Sequence, residues 1–493
     1  RKRDAQFLAS HDIVVTTYGV LQSEYGYHAT KELRNGNLNY VPPLERLFWH
    51  RVILDESHYI RTSGTNYFKA CMRLKASNRW CVTGTPMCGG GVYDMSTQLQ
   101  FVRCPIVHDS HRRRWNRLIE HSSGHSVLWT VIQAVMIRHR KNQVLDGVPI
   151  MVLPPKTERT IFVDLTTREQ EHYQALFSNM ASRLRAVLRY RGSTYVHALS
   201  LLTPLRRGCS MGRWEESNHH GRHVRSTFPL TSDVDTNPNS EQCPICLDPP
   251  DVAVRTVCRH YFCAECMLQL FETSARVSCP LCRKTLSLGS ILQVRQEEVE
   301  AAEEAVTTPR PATPFSKIER LVALMHSISQ NDATSKILVF TQYMETIEML
   351  KDLLPRYGYQ SRTLTGSMSR SQRTKALRDF QGDAAPTTVF LLSPRSGACG
   401  INLTQANHVV LYDPLLNKSL EEQAISRAWR LGQTRAVQVH RLIIRNSVES
   451  RIMELRSNRE AQLREGVAGN IREDRKIISL PDIKHILTPY DDE

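Results

Sequence analysis

Residues 51–60 read RVILDESHYI, a short apolar and β-branched run that empties into Asp-Glu-Ser-His. Such a run predicts a buried strand that delivers two adjacent carboxylates to its carboxyl end. An acidic pair in that place suits Mg²⁺ binding and the polarisation of water for nucleotide hydrolysis. A site of this kind also requires a glycine-rich loop with a lysine to cradle phosphates. The chain contains no G-x-x-x-x-G-K-[ST] and no Gly-Lys dipeptide.

Outward from this stretch, residues 13–20 (IVVTTYGV) read as a short buried strand, and 78–86 (NRWCVTGTP) as another that ends in a turn. Helical stretches between them predict an α/β region with a parallel sheet. From residue 315 the alternation is clearer: KILVFTQY, a helix with Ile347, Leu350, Leu353 and Leu354 on one side, YQSRTLTG, TTVFLLSP, HVVLYDP and VQVHRLII follow in turn. That pattern predicts a doubly wound sheet with ligands at the strand carboxyl ends. Between the two regions, 165–204 reads as helical and 211–242 as a polar linker. A cysteine-rich segment follows, then 295–314, which passes from an acidic helix to a Thr/Pro hinge.

The 493 residues, 41% apolar and 23% charged, allow about three domains. No apolar run approaches the roughly 18 residues of a membrane span, and the N-terminus does not read as a signal peptide. Lys and Arg total 64 against 49 Asp and Glu, a formal net charge of +15. The excess suits a polyanion such as nucleic acid, or a merely basic solubility surface. The basic stretches 108–117 and 136–141 carry the same two readings, a DNA-facing surface or a solvated helix face.

Seven of the 13 cysteines fall within residues 243–282, spaced C-x₂-C-x₁₁-C-x-H-x₂-C-x₂-C-x₁₂-C-x₂-C. Paired spacing of this kind is metal-site usage in a reducing compartment rather than a disulfide framework. Eight soft or borderline ligands supply two tetrahedral Zn²⁺ sites. With histidine as the fourth ligand the segment resembles the RING finger in every spacing. The resemblance implies a cross-brace, with Cys243, Cys246, Cys263 and Cys266 on one zinc and Cys258, His260, Cys279 and Cys282 on the other. It also implies a groove for a ubiquitin-conjugating enzyme at Ile245, Leu270 and Pro280, and an enzyme–ubiquitin bridging arginine at Arg283. Many RING fingers carry Trp where Leu270 stands. A purely structural zinc module is the alternative, because metal spacing alone shows no activity.

RWCVTGTP (79–86), TGSMS (365–369), LLSPRSGACGINLT (391–404) and EEQAISRAWRLGQT (421–434) follow the acidic pair in order. Together they resemble the motif series of superfamily-two helicases, specifically the SWI/SNF-type DNA translocases; the R-x-x-R-x-G-Q form sets them apart from the DEAH-type RNA helicases. On this resemblance Asp55 binds Mg²⁺ through water and Glu56 orients and deprotonates the attacking water. Arg427 and Arg430, expected three apart on one helix face, act as arginine fingers. His58, Thr83, Gly84, Thr85, Gly397, Gly400, Gln423 and Gln433 serve nucleotide binding and its coupling to DNA. Thr16, Thr17, Arg138, Lys141, Ser393 and Asn402 are candidate DNA contacts. Departures from the family pattern are Ser57 for the usual Ala, Met87-Cys88-Gly89 where an Asn-bearing turn is common, and Ser426 for a frequent Asp.

A RING inserted between two such lobes resembles the helicase-like transcription factor group, which includes the yeast RING-bearing DNA-repair translocases. The expected fold is α/β: two RecA-like doubly wound lobes, the first incomplete, with an inserted cross-braced zinc RING finger. The expected domains are a partial first lobe (1–150), its helical extension (151–210), a linker (211–242), the RING (243–283), an acidic helix and hinge (284–315), the second lobe (316–475) and a tail (476–493). The group implies ATP with Mg²⁺, two Zn²⁺, duplex DNA, a ubiquitin-conjugating enzyme with ubiquitin, a DNA-bound protein substrate, a nuclear location and no membrane. The chain begins at Arg1 and its first methionine is Met72, so the expected whole is a longer enzyme whose phosphate-binding loop lies upstream; this chain alone is not expected to hydrolyse ATP. The rival readings are a DNA-binding RING ubiquitin ligase or scaffold with an inactive motor, and an RNA helicase.

Overall fold

The computed structural model describes residues 4–25, 41–86, 94–107, 125–189 without 142, 198, 201–212, 315–365, 368, 370–382, 388–394, 401–464 and 479–488, with short pieces of 253–293. The chain divides into two compact units, residues 1–138 with 467–477 and residues 139–466 with 478–493.

In the first unit, β1 (Phe48–Asp55) and β2 (Lys75–Val82) form a parallel pair with Ile53 opposite Trp80 and Asp55 opposite Val82. Parallel strands need a crossover. Here it contains the helix Asn66–Arg73, whose N-terminus is capped by the Thr65 hydroxyl. Leu54, Ile60, Phe68, Cys71 and Phe101 form the core. The opposite face is bare among the described residues: Ile53 is 57% exposed, Trp80 50% and Val82 46%. Residues 13–20 differ from the expected buried strand. Ile13 and Val15 are exposed, 13–17 carry no strand pairing, and a helix begins at Tyr18. Thr17 Oγ1 accepts the Val20 N–H, so a local side-chain cap replaces the ladder that a strand needs.

The second unit is built on a six-stranded parallel sheet. Its strands are β3 (Lys156–Val163), β4 (Ile337–Phe340), β5 (Gln360–Leu364), β6 (Thr388–Leu392), β7 (His408–Leu411) and β8 (Val437–Ile444). The spatial order is β5-β6-β4-β7-β8-β3. Every residue of β4 and β7 is buried, as unbroken apolar runs covered on both faces must be. The helix Met344–Leu353 buries Ile347 and Leu350 as its periodicity predicts.

The described part of 151–210, the expected helical extension of the first lobe, groups by its contacts with the second unit. Lys156–Val163 pairs with Val437–Ile444 along its whole length. An eight-residue ladder outweighs sequence proximity, because each paired step satisfies backbone groups that an isolated strand would leave open. The helix Leu202–Met211 closes on Gly212 at φ +66°, where a Cβ would come within 2.6 Å of the Phe315 ring. At Ser316 the Glu169 carboxylate accepts the backbone N–H at 3.1 Å and also the hydroxyl proton. The two ends of the 213–314 insertion are thus fastened side by side on the second unit.

A buried charged centre holds the same region. Lys317 Nζ lies 2.6 Å from Glu449 Oε1 and 3.8 Å from Asp413 Oδ1, all three side chains sealed from solvent. Thr341 donates to Asp413, and Glu449 also accepts the Ile444 N–H. Burial pushes the Glu449 carboxyl up to about 7, against the opposing pull of Lys317.

Candidate functional site

At the end of β1 the chain turns sharply. Glu56 sits at φ +49°, in the left-handed region, and heads the 3₁₀ turn Ser57–Ile60. A residue with a Cβ pays roughly 1–2 kcal/mol to stay there, and the turn swings the second carboxylate away from the strand axis. Asp55 Oδ1 accepts the Glu56 N–H at 3.0 Å. His58 Nδ1 lies 3.3 Å from Glu56 Oε2 and 3.5 Å from Thr83 Oγ1, and Thr83 Oγ1 accepts the Thr85 N–H. The structure therefore brings Asp55, Glu56, His58, Thr83 and Thr85 into one connected group. A Cβ built on Gly84 would meet nothing within 4 Å. Glu56 and His58 stay partly open to solvent, at 35% and 24%.

Two residues that sequence reading missed complete the group. Gln98 accepts the Ser57 hydroxyl at 3.0 Å and donates to the Pro86 carbonyl at 2.9 Å. It thereby ties the acidic turn to the Thr-Gly-Thr-Pro turn. The unusual Ser57, wholly buried, has a partner for that reason. Tyr18 donates to the Asp55 carbonyl at 2.9 Å, and burial raises its phenol pKa far above the usual range.

The arginine motif departs from expectation in one respect. Its helix covers only Lys418–Ile425, so Arg427 and Arg430 lie in the turns that follow and not on a shared helix face. The backbone explains this. Leu403 N–H donates to the Arg427 carbonyl, and Gln433 Nε2 donates to the carbonyls of Ala406 and Ala428. Gln433 Oε1 accepts the N–H groups of Thr434 and Arg435. Its side chain is spent on shaping this turn. Upstream, the buried Glu421 receives Arg456 through both guanidinium nitrogens at 2.6 and 2.8 Å, together with Arg441. Arg427 is buried, and Gln423 and Arg430 are half-buried.

Lys141, a candidate DNA contact, is engaged elsewhere. Its Nζ donates to the Trp429 carbonyl at 2.6 Å and lies 4.5 Å from the indole centre. Burial and the neighbouring Lys156 hold its pKa below the ordinary lysine range. Thr16, Thr17, Arg138 and Asn402 are exposed, and Ser393 is buried at the end of β6. Gly397 and Gly400 lie outside the described residues.

In the cysteine-rich segment, the ligand atoms of Cys258, His260 and Cys279 all lie within 4.8 Å of one another. His260 Nδ1 stands 3.4 Å from Cys258 Sγ and 3.5 Å from Cys279 Sγ. Zn–S near 2.3 Å and Zn–N near 2.05 Å in a tetrahedron place S and N about 3.5 Å apart, so these three fit one zinc. The trio joins Cys258 and His260 to a cysteine 19 residues further on, the long-range sharing that a cross-brace requires. Cys263 ends the strand Tyr261–Cys263. Cys243, Cys246, Cys266, Cys282, Ile245, Leu270, Pro280 and Arg283 lie outside the described residues.

Two α/β units with an acidic strand end, an arginine turn and a convergent Cys/His group define a helicase-like ATPase class carrying a zinc finger. Family comparison agrees. Residues 1–212 match the SNF2-related domain, 241–283 the Ring finger domain and 316–432 the helicase conserved C-terminal domain. The chain thus combines an SNF2-related domain, a Ring finger domain and a helicase conserved C-terminal domain. It is 30% identical over 94% of its length to the DNA repair protein RAD5A of Arabidopsis thaliana, covering 47% of that protein. It is 29% identical over its whole length to the helicase-like transcription factor of Mus musculus, covering 49% of it. The chain spans about half the length of these curated relatives. Among solved structures, the Sulfolobus solfataricus SWI2/SNF2 ATPase core in complex with dsDNA aligns over 97% of this chain and 77% of its own, at 18% identity and TM-score 0.38.

Proposed function

We propose that this chain is the motor and RING portion of a nuclear, DNA-dependent ATPase that translocates on duplex DNA and transfers ubiquitin to a DNA-bound protein. The observation that carries the motor reading is the connected group Asp55, Glu56, His58 and Thr83. Mg²⁺–ATP, when bound, supplies the phosphoryl group and its counter-charge. Glu56 would take the proton of the attacking water at its carboxylate, and Asp55 would hold the metal ion. His58, between Glu56 and Thr83, ties the state of the carboxylate to the Thr-Gly-Thr-Pro turn. Arg427 and Arg430 neutralise charge on the phosphoryl oxygens.

For the RING, Cys258, His260, Cys279 and Cys282 hold one zinc, and Cys243, Cys246, Cys263 and Cys266 hold a second. The metals replace a hydrophobic core in a module of about 40 residues, too small to fold well without them. Ile245, Leu270 and Pro280 receive the conjugating enzyme, and Arg283 bridges it to ubiquitin.

The deciding experiment is Glu56→Gln in the full-length protein, with ATP hydrolysis measured with and without duplex DNA. Loss of about 10²-fold or more in the stimulated rate is expected; unchanged hydrolysis removes the motor reading and leaves a DNA-binding ligase or scaffold. Duplex RNA as the better stimulant would make it an RNA helicase. Ubiquitin discharge from a conjugating enzyme is expected to stop in Ile245→Ala, and persistent discharge would refute the groove.

A further inference from the structure

Trp429 stands between the two arginines of the motif, and four contacts hold it. Its indole Nε1 donates to the Pro154 carbonyl at 2.9 Å. Its own carbonyl receives the Lys141 ammonium at 2.6 Å. Its ring carries Lys141 Nζ at 4.5 Å and Lys156 Nζ at 4.8 Å. Lys156 in turn reaches Glu158 at 2.5 Å and Glu422 at 4.0 Å. Every partner except Glu422 comes from 141–158, a stretch nearly 300 residues away in sequence that begins just after the last residue of the first unit's main segment.

We propose that this latch positions the arginine turn: the 141–156 stretch grips Trp429 and so fixes where Arg427 and Arg430 point. The inference rests on the ATPase reading above and adds a positioning residue to it. The physical case is that the turns after Ile425 keep only a few backbone hydrogen bonds, among them Trp429 N–H to the Ile425 carbonyl at 3.0 Å, and backbone bonds alone do not fix where two long side chains point. Gln433 and Glu421 brace their two ends, but between them the latch supplies the tie from Trp429 to another segment. Two cations close to one indole ring, plus two hydrogen bonds, give a directional grip that a plain apolar contact lacks.

The test uses the full-length protein with Trp429→Ala, Trp429→Phe, Lys141→Met and Lys141→Arg. Steady-state ATP hydrolysis at saturating duplex DNA is read with amide hydrogen exchange over 139–156 and 426–433. Trp429→Ala is expected to lower kcat about 10- to 10²-fold with little change in the KM for ATP, because the loss falls on the transition state. Trp429→Phe, which keeps a ring but no indole N–H, should fall between; Lys141→Met should follow Trp429→Ala in direction and Lys141→Arg should recover most of the rate. Exchange over both segments should quicken in Trp429→Ala. Should that variant misfold, Lys141→Met against Lys141→Arg carries the same comparison at a half-buried site. A folded Trp429→Ala enzyme with wild-type kcat, or a Lys141 pair that does not differ, overturns the latch alone. A wild-type protein without DNA-stimulated hydrolysis overturns the ATPase reading and the positioning role with it.

Discussion

The acidic turn of the first unit and the arginine turn of the second are held in opposite ways. Glu56 sits in a backbone conformation that costs energy, on a sheet that among the described residues has two strands and one exposed apolar face. Arg427 and Arg430 stand in a turn pinned by Gln433, Glu421 and Trp429, above a six-stranded sheet whose core strands are sealed. A general base works where water can reach it and can stand in a strained, partly open turn. A charge-stabilising arginine works by staying in place, and that calls for many fixed partners. The contrast predicts that substitutions around the second site damage the fold, whereas those around the first mostly damage activity.

The largest effect should come from the buried charges of the second unit. Lys317→Met leaves Glu449 and Asp413 without their cation and should cost about 3–5 kcal/mol, read as a lower melting temperature for the second unit by calorimetry. An unchanged melt would show that the centre is not holding the unit.

Next comes acid. His408 Nδ1 and His440 Nε2 are 3.2 Å apart on stacked, buried rings of β7 and β8. Burial lowers both pKa values to about 4; His440 and Arg435 add to the effect at His408, with Asp332 opposing, and Arg159 adds at His440. A depressed histidine takes up its proton in the unfolded chain first, so the folded state loses stability as pH falls from about 6.5 towards 4. The loss should be a few kcal/mol, and His440→Gln should flatten the slope of melting temperature against pH. An equal slope in that variant would remove the pair as its source.

In the first unit the effects should be smaller. Gln98→Leu strands the Ser57 hydroxyl and should cost about 1–2 kcal/mol, while Ser57→Ala with Gln98→Leu should recover most of it, since two apolar partners need no hydrogen bond. Additive costs in that cycle would mean the two side chains do not act together. Smallest of all, Glu56→Gly should raise stability by roughly 1 kcal/mol, through relief of the left-handed residue, while abolishing hydrolysis. A loss of stability there would show that the turn is not strained.

Much of this was legible because chemistry fixes spacing. Metal pairs, an acidic pair after an apolar run and the R-x-x-R-x-G-Q turn each need particular residues a few positions apart; Asp55 ends β1, and Cys258 lies beside His260 and Cys279. IVVTTYGV misled for a physical reason: its apolar residues match a strand's composition, but a strand also needs a partner to pair with. The helix expected beneath Arg427 and Arg430 ended early because Ser426 and Gln433 give the backbone other hydrogen bonds, a choice that periodicity does not register.

By itself the sequence determined the α/β alternation, the acidic pair after an apolar run and the zinc-finger spacing, because each rests on local geometry or on ligand count. Only the tertiary structure decided which sheet Lys156–Val163 joins, that Gln98 bridges Ser57 to Pro86, that Gly212 and Phe315 bring the two ends of the insertion together, and that Trp429 is gripped from residues 141–156. Those are pairings between segments 41 to nearly 300 residues apart, and they are selected by burial and by the satisfaction of backbone polar groups across the whole fold.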